Sequence, residues 1–185
     1  VSIIKIIVSV DSHFGMVYKN ELPWYSPEDL KFFKETTINH DVLMGKNTYE
    51  SLLKRFNKRY FDSVLPKRNN IILSKSISPH LHAKYTMENY QKAGIKLFQN
   101  PEKIFSTYKK EYNKTLFIIG GRETILSTIH LVDEVLINII PGKYTCDTFF
   151  PEQLLNKFDK VEQYKNPNSG IEYLKFVRKN DNANT

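Results

Sequence analysis

The sequence predicts an α/β fold: one domain with a mainly parallel central sheet, flanking helices and a C-terminal antiparallel hairpin. Three observations predict it. Short β-branched apolar runs recur along the chain, stretches of helical periodicity separate them, and the last apolar run follows a turn-rich segment. A chain of 185 residues is long enough to bury one sizeable core, and no repeat, low-complexity tract or linker divides it.

Taken in order, Val1 to Val10 is almost continuously apolar, as expected of a central strand buried on both faces. Ser26-Pro27-Glu28-Asp29 then reads as a helix start, with Ser26 as N-cap, proline at the first helical position and acids in the first turn; the helix should cover about 27 to 36. Asp41 to Met44 is the next strand, and a helix over about 48 to 54 follows it. Asn70 to Leu73 reads as a strand, 101 to 111 as a helix, Leu116 to Ile119 as a strand, 122 to 128 as a helix and Glu134 to Ile140 as a strand. The turn residues Asn166-Pro167-Asn168-Ser169-Gly170 precede the strand Ile171 to Val177, whose expected partner is Phe158 to Tyr164. The domain is expected over 1 to 179, with Asn180 to Thr185 frayed.

Composition narrows the function classes. With 41% hydrophobic, 25% charged and 13% aromatic residues the chain reads as an ordinary folded domain. The single cysteine, Cys146, rules out an internal disulfide framework and a Cys-rich metal cluster, so a reducing, cytoplasmic setting fits. No stretch approaches the roughly 18 apolar residues of a membrane span. His13, His40, His80, His82 and His130 form no metal-ligand spacing, and neither G-x-S-x-G nor a P-loop is present. The net charge of +7, concentrated at Lys54, Arg55, Lys58, Arg59, Lys67 and Arg68 and again at Lys103, Lys109, Lys110 and Lys114, suits either a solvated surface or a multiply anionic ligand. Aromatic and basic residues do not interleave as an RNA-binding sheet requires.

Two features carry chemistry. Asp29 has two readings, because its spacing from Ser26 is that of a capping box while Leu30, Phe33 and Thr37 continue its side of the helix toward the core. On the second reading it is a half-desolvated carboxyl able to hold a proton for a substrate, next to the rigid Leu22-Pro23-Trp24, where Trp24 is equally readable as a core anchor. The second feature is a pair of glycine turns, Gly45 after one strand and Gly120-Gly121 after another. Each leads into a helix and opens on the same carboxyl edge of the sheet, where backbone N–H groups can approach a pyrophosphate, although each is also readable as a plain tight turn. Ser74-Lys75-Ser76, at the end of a third strand, adds two hydroxyls and a cation suited to an extra phosphate.

In order and spacing, Val10-Asp11 through Gly15-Met16, Leu22-Pro23-Trp24, Asp29-Leu30, Phe33-Lys34, Thr37, Met44-Gly45, Thr48, Glu50-Ser51, Leu65-Pro66, Arg68, Asn70 to Ser74, Ile119-Gly120-Gly121 and Asp147 to Pro151 resemble the dihydrofolate reductase family. The resemblance implies a sheet of about eight strands and a cleft in which NADPH meets dihydrofolate. By family pattern Asp29 and Trp24 are catalytic, Ile7, Leu30, Phe33, Ile119 and Asn138 lie beside the pterin, Leu52 and Leu65 line the cleft, and Arg68 clamps the glutamate α-carboxylate. Gly45, Lys46, Asn47, Thr48, Ser74, Lys75, Ser76, Gly120, Gly121, Arg122, Glu123, Thr124 and Ile125 fall on the cofactor side, and Gly120-Gly121 matches a peptide bond that the family holds cis. Gly15, Met16 and Leu22 belong to a loop resembling the family's mobile lid. Ile7 stands where a small residue is usual, Lys46 where arginine is, Ile125 where an aromatic is, and Asn138 where a threonine bonds the catalytic carboxylate. The long stretch from Lys54 to Val64 leans toward eukaryotic-type or viral members, including those joined to thymidylate synthase, and a chain beginning at Val1 fits excision from such a fusion. Two other readings differ in what they leave unexplained. A pyrimidine reductase of the same fold should lack the Pro-Trp and Asp29 arrangement, and a basic nucleic-acid-binding module would account for the charge but not the pocket motifs.

Overall fold

The computed structural model describes residues 3–59, 62–74, 95–98, 100–110 and 113–180. Lys75, Ser76, His80, His82 and the expected frayed tail beyond Asn180 lie outside them.

Ten strands and four α-helices make up the described fold. In chain order they are β1 (Ile3–Val10), β2 (Gly15–Val17), α1 (Pro27–Thr37), β3 (Asp41–Gly45), α2 (Lys46–Arg55), β4 (Asn69–Leu73), β5 (Lys96–Phe98), α3 (Pro101–Lys110), β6 (Thr115–Ile118), α4 (Arg122–Thr128), β7 (Glu134–Ile139), β8 (Thr148–Phe149), β9 (Phe158–Lys165) and β10 (Glu172–Arg178). Eight strands form one sheet in the order β5-β4-β3-β6-β1-β7-β10-β9, and β2 pairs with β8 in a separate ribbon. The six strands from β5 to β7 run parallel; β10 lies antiparallel to β7, and β9 to β10. The expected α/β architecture and closing hairpin are therefore present. Three strands were not read from the sequence: β2, β5 and β8, each of two or three residues.

The apolar character of β1 has the expected cause. Ile4, Ile6, Val8 and Val10 pack into a core with Leu43, Leu116, Ile118, Ile104 and Phe105, so α3 and α4 cover that face. Ile7 faces the other way, into a core with Val42, Met44, Ile72 and Phe117 closed by Tyr49 and Leu53 of α2, with Phe32 and Phe33 of α1 packed against it. Burying the sheet on both faces forces the continuous apolar runs of its parallel strands. α2 begins at Lys46, earlier than its periodicity suggested, because Gly45 is both the end of β3 and the helix N-cap. The chain steps outward from β1 to β3, β4 and β5, then returns to place β6 between β3 and β1. Loops at the carboxyl ends of β1, β3 and β6 diverge there and open a crevice, the usual ligand position in such sheets.

Candidate active site

Asp29 enters the site through the geometry that starts α1. Ser26 is extended (φ −133°, ψ 105°), and its hydroxyl accepts the backbone N–H of Asp29 at 3.2 Å. Capping thus uses the Asp29 amide and leaves the carboxylate for other partners. That carboxylate does not return to Ser26. Its Oδ2 accepts from Ser9 Oγ at 2.6 Å and its Oδ1 from Asn138 Nδ2 at 2.9 Å. Ser9 on β1 and Asn138 on β7 are register partners, and Tyr173 on β10 is the next residue in the same row. Asp29 is 5% exposed. The Ser26 half of the capping reading is present in the backbone of residue 29, while the side chain is buried and turned toward the sheet.

The turn between β9 and β10 also anchors the helix start. Glu28 accepts from Asn166 Nδ2 at 2.5 Å and from Ser169 Oγ at 2.7 Å. Burial and a hydrogen bond with Glu28 push the Tyr173 phenol up to about 12, so it remains a neutral neighbour of Asp29. Its ring lies 5.1 Å from that of Phe32.

Around Asp29 opens a cavity of about 630 Å³, within the size range of small-molecule sites. Ile7, Leu30, Phe33, Leu52, Leu65 and Ile119 supply apolar wall, joined by Met16, Leu22 and Trp24. Trp24 is buried, and its Nε1 has no hydrogen-bond partner among the described residues. At the mouth, Arg68 donates from Nε to Pro66 O at 3.0 Å and from Nη1 to Thr37 Oγ1 at 3.1 Å, with its guanidinium 5.9 Å from the centre of the Phe33 ring. Burial lowers its pKa. Lys34, Lys54, Arg55 and Glu21 also line the cavity but are exposed, which leaves Asp29 as its one buried ionisable side chain among the described residues.

The two glycine turns meet. Gly45 N–H donates to Gly120 O at 2.9 Å, the Gly120–Gly121 peptide is cis, and Gly120 has φ +125°. A Cβ on Gly45 would come to 2.5 Å from Thr124 Oγ1. Cβ atoms on Gly120 or Gly121 would fill the space beside Thr48 Oγ1, at 3.7 and 3.5 Å. Thr48, Gly120 and Gly121 face the cavity. We expect Gly45→Ala to destabilise the protein by roughly 1–3 kcal/mol, the usual cost of overpacking, as measured by thermal melts.

Other expected cofactor-side residues sit around this junction without lining the cavity. Lys46 lies 3.9 Å from Glu50, Asn47 is exposed with its carbonyl accepting from Asn20 Nδ2, and Ser74 is buried at the end of β4. Arg122 Nε donates to Phe149 O at 3.0 Å, Glu123 is exposed, and Ile125 is fully buried in the core beneath the sheet.

The segment from Gly15 to Leu22 begins as strand β2, paired with β8. Asp11 organises its base, accepting backbone N–H groups of Gly15 and His13 at 2.8 Å each and of Tyr144 at 2.9 Å. Gly15 has no room for a Cβ, which would come to 2.4 Å from Cys146 Sγ. Farther on, Lys19 N–H donates to Asp147, Ser51 Oγ to Asn20 O at 2.6 Å, and Glu21 pairs with Lys54 at 3.2 Å. The first contact ties the segment to the residue preceding β8, and the other two tie it to α2.

Although burial alone would raise the Asp11 pKa, the three backbone donors hold it below the usual carboxylate range. A lowered folded-state pKa stabilises the protein above the unfolded value, and that contribution is lost as pH falls through the folded one. Asp11→Ala should therefore cost roughly 2–3 kcal/mol at neutral pH, and its melting deficit should shrink at about pH 3.

Sequence reading missed Ser9, Phe32, Lys34 and Ser51 among the cavity's residues. A signal for Ser9 was available: it and Asn138 are polar interruptions near the carboxyl ends of two apolar strands.

Comparison with known proteins agrees with this geometry. The dihydrofolate reductase family pattern matches residues 3–179. A dihydrofolate reductase of Buchnera aphidicola subsp. Acyrthosiphon pisum is 31% identical over 158 residues, covering 85% of this chain and 84% of the relative. One of Staphylococcus aureus is 30% identical over 148 residues, covering 80% and 77%. A dihydrofolate reductase from Enterococcus faecalis, solved in complex with NADP(H) and RAB-propyl, superposes with a TM-score of 0.75 at 25% identity, covering 96% of this chain and 97% of that one. From the family pattern, the ordered relatives and the shared framework together, the chain belongs to the dihydrofolate reductase family.

Proposed function

We propose that this NADPH-dependent dihydrofolate reductase converts 7,8-dihydrofolate to 5,6,7,8-tetrahydrofolate with Asp29 as the side chain that assists protonation. The observation that carries this reading is the buried Asp29 carboxylate, hydrogen-bonded on both oxygens at the floor of an apolar cleft.

The cofactor fits the residues present. Gly45 has no room for a Cβ, Gly120 has a positive φ that favours glycine, and Cβ atoms on Gly120 or Gly121 would occupy the space beside Thr48, a setting in which a phosphorylated dinucleotide can approach backbone closely. When bound, NADPH supplies the hydride that adds to C6 of the pterin. The chain's own residues do the rest. Asp29 accepts pterin N–H groups on the lone pairs left by Ser9 and Asn138, and assists delivery of a proton to N5 through water. Leu30, Phe33 and Ile7 hold the ring plane, and Met16, Leu22 and Trp24 exclude bulk water from the reacting face. The orphaned Trp24 Nε1 is a donor for a bridging water or the ligand itself, since a buried N–H without an acceptor costs roughly 1–3 kcal/mol. Arg68 receives the α-carboxylate of the glutamate tail as a planar, two-pronged donor.

Deuteride transfer tests the chemistry. With NADPH deuterated on the transferred face, the tetrahydrofolate formed should carry one deuterium at C6. Label at another position, or none, would overturn the hydride assignment.

A further inference from the structure

We propose that Ser9 is a positioning residue for the reaction: with the Asn138 amide it clamps the Asp29 carboxylate, and it acts through Asp29 rather than on the substrate. The inference rests on the reading of Asp29 as the proton-assisting group.

Three observations carry it. Ser9 Oγ donates to Asp29 Oδ2 at 2.6 Å, at the short end of the range for a hydroxyl donor. Asn138 Nδ2 takes the other oxygen at 2.9 Å, from the register position directly opposite. No described cation forms an ion pair with Asp29, so these two neutral donors are the described hold on its side chain.

The sheet makes this clamp rigid. Ser9 and Asn138 rise from hydrogen-bonded parallel strands in the middle of the sheet, one toward each oxygen, and together they fix rotation of the carboxylate about its Cβ–Cγ bond. A carboxylate has about four acceptor positions, so one donor per oxygen leaves the others for the cleft. The groups around the clamp are Asp29 and Glu28 on α1 and Tyr173 on β10. Glu28 is occupied by Asn166 and Ser169, and Tyr173 stays protonated. Asn138 adds a second element, because its Nδ2 is committed to Asp29 while no described residue donates to its Oδ1, and the residue lines the cavity. The amide carbonyl is thus an additional acceptor beside Asp29 for an N–H of the bound ring.

The test is a double-mutant cycle on the full chain, read as single-turnover NADPH oxidation at saturating dihydrofolate, so that product release does not mask the chemical step. Ser9→Ala should slow that step about 5- to 30-fold, the loss expected for one charge-assisted hydrogen bond, with NADPH affinity little changed. Ser9→Thr, which keeps the hydroxyl, should recover to within about threefold of the parent. In an Asp29→Asn background Ser9→Ala should cost less than about twofold, since a residue acting through Asp29 has nothing left to position. The proposal is overturned if Ser9→Ala matches the parent, or if it costs the same factor in both backgrounds. An active Asp29→Asn enzyme would overturn the reading of Asp29 itself, whereas an inactive Asp29→Asn beside a fully active Ser9→Ala would sink only the clamp.

Discussion

Asp29→Asn should leave NADPH binding and most of the fold intact while slowing dihydrofolate reduction at neutral pH by about 10²- to 10⁴-fold, the range for losing a positioned proton donor. The fold should tolerate the change because the two structural roles of position 29 survive it. The helix cap uses the residue 29 amide on Ser26 Oγ, which substitution of the side chain does not touch. An asparagine can also satisfy both present partners, turning its carbonyl toward Asn138 Nδ2 and its amide toward Ser9 Oγ, which then accepts instead of donating. What asparagine cannot do is carry a proton. A variant that melted much lower yet still turned over would assign the carboxylate to the fold and remove it from the chemistry.

Arg68→Leu should raise the Michaelis constant for dihydrofolate by about 10²- to 10³-fold, the loss expected for a bidentate, charge-assisted pair with a carboxylate, while that for NADPH stays within about twofold. The asymmetry follows from position. Arg68 sits at the end of the cleft bounded by Thr37 and the Phe33 ring, whereas the glycine cradle stands at Thr48, Gly120 and Gly121. The local structural cost is small, because Thr37 Oγ1 keeps its own bond to Phe33 O at 2.7 Å and Pro66 is exposed. Equal effects on both ligands would refute the assignment of Arg68 to the folate tail.

How far the sequence revealed this site depended on the range of the interaction. β1 and the other long parallel strands were legible because burial on both faces writes itself as an unbroken apolar run. α1 was legible because Ser26-Pro27 is local capping chemistry. β2 and β8 were not, since two or three residues are too few to show a period of two, and their pairing joins residues remote in sequence, Gly15 with Phe149 and Val17 with Thr148. The Asp29 problem shows the same limit. Local spacing set capping against chemistry, and only two long-range bonds, to Ser9 and to Asn138, show that the side chain is free of the cap and turned toward the sheet. Ser9 itself was passed over because one hydroxyl interrupting an apolar strand is a weak signal until its partner is known. Its meaning comes from the register that sets it against Asn138. Ile125 is the converse case, since its position in the chain suggested the cofactor side while its side chain is wholly core.

The most direct test of the account is to mix the purified chain with NADPH and follow its near-ultraviolet absorbance before and after adding dihydrofolate. The expected result is oxidation that depends on dihydrofolate, forms one tetrahydrofolate per NADPH consumed and turns over on the order of 1–10³ s⁻¹, as enzymes of ordinary efficiency do. A folded chain that binds NADPH and shows no dihydrofolate-dependent oxidation would contradict it.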